Sequence, residues 1–201
     1  MGQQKTNGLR KRILGIIVSY TAILLAAASA LIIKIPVEIT DILGAFAAVT
    51  LVGVVSYFIK ISEAVYFSTL FFIFMASPMG SILEFYRSFG PYDKIVHFVS
   101  GILLTVYGME ILRNWAEKYE RNSIPQYAAP IIFCACMFSS GAAGIWEVYE
   151  YLTDKLMGQG MQRGMEDTVT DIIAGNLGAV IYGCWSLLVS RKTERTKKGI
   201  D

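Results

Sequence analysis

The chain has 201 residues, 54% of them hydrophobic and 17% charged, with a formal net charge of +2 and a mean hydropathy of +0.50. This is too apolar for a soluble domain of that length and excludes a disordered or highly charged chain. The basic residues are dispersed as short flanks, so no footprint for nucleic acid is present.

Six apolar stretches of about 20 residues have the length needed to cross a bilayer as helices. They cover 13–33, 42–59, 64–83, 94–112, 127–148 and 168–190. The expected fold class is all-α, a polytopic transmembrane helical bundle of about six spans forming a single transmembrane domain over 1–201. The first stretch follows "LRKR" and contains "AAASA", features shared with a secretory signal, but its length favours an uncleaved anchor. Orientation follows the bias of Lys and Arg to the cytoplasmic side. With both termini cytoplasmic, Lys5, Arg10, Lys11, Arg12, Lys60, Arg113, Lys118, Arg121, Arg191, Lys192, Arg195, Lys197 and Lys198 fall inside. Most of the acids then fall at or near the outer face. This predicts a multi-pass protein embedded in the lipid bilayer with both termini on the cytoplasmic side.

Residues three or four apart share a helix face. Four expected helix ends carry such polar pairs, all on the outer side: Glu84 with Arg87, Asp93 with His97, Glu147 with Glu150, and Asp167 with Asp171. At about 1.5 Å rise per residue, His97 and Asp171 lie on the order of 6 Å deeper than Asp93 and Asp167. An ionisable group inside a span costs roughly 2.5 to 3.5 kcal/mol, so these side chains are expected to turn away from lipid toward a shared polar interior. Asp93, after the turn sequence "GPY", also suits a helix N-cap. Glu147 and Glu150, at an outward C-terminus, oppose the helix dipole and require a partner. "SSGAAG" (139–144) before Glu147, and Gly175, Gly178, Ala179 and Gly183 after Asp171, form small-residue stripes that predict spans five and six as neighbours.

Residues 151–166, broken by Gly158, Gly160 and Gly164, read as an interfacial flap. Cys134, Cys136 and Cys184 lie inside expected spans and read as small packing residues. Tyr86, Tyr92, Trp146, Tyr149, Tyr151 and Trp185 fit the aromatic belt at a membrane interface.

"DKIVHF" (93–98), "EVYEYLTD" (147–154) and "EDTVTDIIAGNLGA" (166–179) resemble the YjdF-type uncharacterised bacterial membrane proteins and, more distantly, the VanZ-like family. The resemblance covers about 80–185 and implicates Asp93, Lys94, His97, Glu147, Arg163, Asp171 and Gly178. Glu150 stands where the VanZ-like pattern has Gln, and Asn176 follows Asp171 by five residues instead of four. The resemblance implies a placement without a reaction.

Three functions compete at this point. An enzyme acting on a lipid or lipid-linked envelope substrate would use His97, Asp93, Glu147, Glu150 and Asp171 as catalytic groups, with Lys94, Arg163, Asp167 and Glu84 toward the substrate. Its cofactor would be a divalent cation held by His97, Glu147, Glu150 and Asp171, since one imidazole with several carboxylates suits Mg²⁺, Mn²⁺, Ca²⁺ or Zn²⁺. A small proton- or cation-coupled transporter would employ the same acids. A non-catalytic scaffold or resistance factor would use them only to fasten helices.

Overall fold

The computed structural model describes residues 2–59, 61–119, 128–158 and 160–197. Lys60, Arg121, Lys198 and the expected start of span five at residue 127 lie outside the described residues. The helices are α1 (Gly2–Ile32), α2 (Ile39–Phe58), α3 (Glu63–Phe74), a π-helix (Met75–Ile82), α4 (Phe85–Ser88), α5 (Tyr92–Tyr119), α6 (Ala128–Met157) and α7 (Met165–Lys197). Six segments are long and apolar enough to span a bilayer: Asn7–Ile32, Ile39–Phe58, Glu63–Ile82, Tyr92–Ala116, Ala129–Leu156 and Met165–Lys192. The all-helical six-span class expected from the sequence is therefore the observed one. Several helices run beyond the expected limits, because the charged residues that mark a span's edge do not end its backbone hydrogen bonding. The chain divides into two compact units, Met1–Val96 and His97–Asp201.

In the first unit, α1, α2, α3 and the π-helix pack together. α3 begins at Ser62, whose hydroxyl accepts from Val65 N at 3.3 Å as an N-cap. Where α3 meets Pro78 the hydrogen-bond register widens, because proline offers no N–H to the ladder. The Leu83 N–H reaches back five residues to the Pro78 carbonyl at 3.0 Å. The Tyr92 hydroxyl donates to the Met75 carbonyl at 2.8 Å, and the Tyr86 ring lies so close to Gly80 that a Cβ there would overlap it. These two tyrosines thus have packing roles beyond that of a membrane belt.

At the other end of this unit, Arg12 crosses between helices. Its guanidinium donates to the carbonyls of Ser56 at 2.9 Å and Ile61 at 2.7 Å and lies 5.2 Å from the Tyr66 ring centre. The Tyr66 hydroxyl returns a bond to the Arg12 carbonyl at 3.0 Å. The orphan carbonyls at the end of α2 and before α3 are satisfied by one side chain.

In the second unit, small residues bring helices into backbone contact. A Cβ on Gly101 of α5 would overlap the Gly175 carbonyl of α7, and one on Gly178 would overlap the Phe98 carbonyl. Close approach of this kind lets transmembrane backbones pack in the absence of a hydrophobic drive. α6 and α7 pack along their length, as the sequence predicts. The stripe on α6 uses part of the expected 139–144 segment, its Ser139 and Ala143 and not its glycines, together with Ala135. Ala135, Ser139 and Ala143 are buried, whereas Gly141 and Gly144 face open space. Met109, Ile131, Ile132 and Ala135 form an apolar cluster with Leu112, Cys136, Tyr182 and Leu187 packed against it.

Candidate functional site

The polar centre of the second unit follows from three helix periodicities. On α5 the buried positions His97, Gly101, Thr105 and Gly108 recur at spacings of four, four and three. On α6 the same rhythm gives Ser139, Ala143, Glu147 and Glu150, and on α7 it gives Asp171, Gly175 and Gly178. Each stripe is small or apolar along most of its length and ends in an ionisable residue. Close packing of the small residues therefore draws those ends together.

His97 Nε2 lies 3.9 Å from Glu147 Oε1 and 3.9 Å from Asp171 Oδ1. The side chains are 8%, 5% and 1% exposed respectively, so all three groups are buried. At 3.9 Å these pairs are longer than hydrogen bonds and within ion-pair range. Two donors sharing a cation lie about 3.4 Å apart, both for bonds near 2.1 Å at tetrahedral angles and for bonds near 2.4 Å at right angles. At 3.9 Å, His97 and each acid are about half an ångström wider than that, so each pair would close slightly on a shared ion. Beneath them, Ser139 and Thr105 both donate to the Gly101 carbonyl, at 3.0 and 2.8 Å. This closes the floor of the site with neutral hydroxyls. Ser139 was legible only as a small residue of the 139–144 stripe and Thr105 not at all, though the register of both with Glu147 and His97 could have shown them.

The remaining expected residues are placed differently. Glu150 is buried, and Trp146 Nε1 donates to its Oε1 at 2.7 Å, so this carboxylate is oriented by its own helix. Asp93 stands in the first turn of α5, one turn before His97. It lies within the helix, since α5 begins at Tyr92, and an N-cap role is thereby replaced by the favourable position of an acid in a first turn. Lys94 Nζ lies 4.0 Å from Asp93 Oδ2. Glu84 belongs to the first unit, where it adopts a left-handed backbone (φ 57°) and accepts from Arg87 at 2.9 Å.

The glycine-rich connection between α6 and α7 is shorter than expected and well tied. α6 continues to Met157, so 151–157 is helix and not flap. Gly158 (φ +71°) then ends it, with its N–H on the Asp154 carbonyl at 2.9 Å. The Asp154 carboxylate accepts from the N–H groups of Met161 and Gln162, each at 2.7 Å. Gln162 Nε2 donates to the Thr168 hydroxyl at 2.8 Å, and Arg163 Nε lies 3.3 Å from Asp167 Oδ2. Arg163 and Asp167 are thus paired with each other at the head of α7.

Fold and site together define a multi-pass helical membrane protein with a buried imidazole and carboxylate centre. The chain belongs to the family described as predicted membrane protein (DUF2238), whose model matches residues 13–192. It is also similar to a Thermotoga maritima protein described as uncharacterized, 31% identical over 124 residues. That match covers 61% of this chain and 60% of the relative. No solved structure matches the chain.

Proposed function

We propose that this protein is a bacterial inner-membrane enzyme that acts on a lipid or lipid-linked envelope substrate through a divalent-cation site at His97, Glu147 and Asp171. Both termini lie in the cytoplasm in this reading, and the site opens toward the outer face. The observation that carries it is the pair of 3.9 Å separations from His97 Nε2 to the two acids, inside a region almost closed to solvent. Buried ionisable groups within a span are costly and mark function far more often than packing. A bound cation would polarise an ester or phosphoryl oxygen of the substrate. His97, Glu147 and Asp171 would hold it, and Glu150, one turn on from Glu147, would take or return the proton at the reacting oxygen. Glu150, held by Trp146, keeps the neighbouring wall acidic. Arg163, at the head of α7, suits an anionic headgroup.

Coupled transport receives less support, because the same three helices pack an apolar cluster around Met109, Ile131 and Ile132 instead of continuing the polar stripe. The test is elemental analysis of the detergent-purified protein before and after chelation. The expected result is about one divalent ion per chain, a lower melting temperature once it is removed, and loss of the ion in Asp171→Asn and His97→Ala. Protein that retains none of Mg²⁺, Mn²⁺, Ca²⁺ or Zn²⁺ overturns the reading.

A further inference from the structure

The first unit holds a cavity of about 480 Å³ at the basic end of α1, lined by Asn7, Gly8, Arg10, Lys11, Leu14 and Glu63. Its walls are fixed by neighbours that face elsewhere. Arg12, the next residue after Lys11, is committed to the carbonyls of Ser56 and Ile61 and to the Tyr66 ring, which holds the start of α3 against α1. Within the cavity, Lys11 Nζ pairs with Glu63 Oε2 at 3.0 Å, leaving the pair neutral. Among the described residues Arg10 meets no acid, so the lining carries one surplus positive charge beside the amide of Asn7. Leu14 forms the apolar edge, and below it Ile17, Val18, Leu24 and Leu25 continue an exposed apolar stripe along α1.

We infer that this cavity binds the headgroup of an anionic phospholipid with one negative charge, its phosphodiester on Arg10 and Asn7 and its acyl chains along Leu14, Ile17 and Val18. Charge complementarity selects the occupant: one uncompensated guanidinium matches one phosphodiester, and a zwitterionic headgroup would bring a second cation against Arg10 and Lys11. The order of groups selects a lipid over a soluble anion, because the cationic rim and the apolar stripe that begins at Leu14 lie in sequence along one membrane-spanning helix. Basic pockets between helices at the membrane surface bind acidic headgroups for the same reason.

The test uses the full chain in phosphatidylcholine vesicles with spin-labelled phosphatidylglycerol or phosphatidylcholine as the probe. Wild type is expected to immobilise the phosphatidylglycerol probe with a preference of about fivefold, the amount one basic contact at a membrane surface provides. Arg10→Gln and Gly8→Leu, the second filling the cavity without removing a charge, should each bring the preference close to unity. Arg191→Gln, which removes a basic flank on α7, should leave it intact. An unchanged preference in Arg10→Gln, or an equal loss in Arg191→Gln, overturns the site in favour of diffuse surface charge. Full competition by millimolar glycerol phosphate overturns the lipid in favour of a soluble anion.

Discussion

Arg12 in the first unit and His97 in the second each sit near the end of a span, and they are used in opposite ways. Arg12 is bonded to two backbone carbonyls and stacked on Tyr66, so its charge is spent on helix ends that would otherwise be unsatisfied. His97 is matched with two acids from other helices at distances that leave room between them. A cation bound to carbonyls is complete and holds the fold together. An imidazole facing two carboxylates at 3.9 Å is in ion-pair range of both, and the proposed cation site rests on that arrangement. The contrast shows that a charge within a span is informative about function only when the groups facing it are known.

The sharpest way to break the comparison is to separate the helices that create the second region. Gly101→Val would drive a side chain into the Gly175 carbonyl, and Gly178→Leu into that of Phe98. Backbone cannot yield as a flexible side chain can, so each change should cost upward of about 3 kcal/mol and abolish the folded protein. Yield and melting temperature in detergent would measure this.

Next in size are changes at the centre itself. Asp171→Asn and Glu147→Gln preserve volume and should leave the protein folded while reducing cation retention by about tenfold or more each. Arg12→Met gives the opposite pattern. Losing two charge-assisted bonds should cost roughly 2 to 3 kcal/mol, with cation content unchanged. If Arg12→Met lowered cation content and Asp171→Asn did not, the division of roles between the two regions would be reversed.

Asp154→Ala tests a smaller device. Its carboxylate gathers two N–H groups of the α6–α7 connection, and their release should cost about 1 to 2 kcal/mol locally. Limited proteolysis should then cut between 158 and 164 faster than in wild type, with the melting temperature little changed. Equal cutting in both proteins would mean that Gly158, Gly160 and Gly164 set the loop alone.

Much of this was legible in the residues. Long apolar runs fix six spans, because a bilayer leaves a backbone few alternatives to a helix. The pairing of α6 with α7 follows from small residues in register. His97, Glu147 and Asp171 could be named because acids inside spans are rare and costly. What could not be read was which partner each acid meets. Glu150 turns to Trp146 on its own helix, and Arg163 turns to Asp167, outcomes set by side-chain rotamers. Pro78 was visible as a letter, but the wide register it imposes on Met75–Ile82 depends on how the next turn recovers its hydrogen bonds. The end of α6 was misplaced for a related reason: Gly158, Gly160 and Gly164 suggested a flexible flap over 151–166, yet 151–157 all lie before the first positive-φ glycine.

The smallest expected effect separates two kinds of glycine that look identical in sequence. Gly175 and Gly178 lie against the backbone of α5, while nothing stands within 4 Å of a Cβ built on Gly141 or Gly144. Both α6 glycines have ordinary helical backbones, so alanine should fit without strain and gain helix propensity, stabilising the protein by about 0.5 to 1 kcal/mol apiece. Melting of Gly141→Ala beside Gly101→Ala would show a small rise against a large fall. A comparable fall in both would mean that the outer face of α6 is covered in the membrane by another helix, and a second copy of the chain, detected by crosslinking through that face, would then be the first occupant to seek.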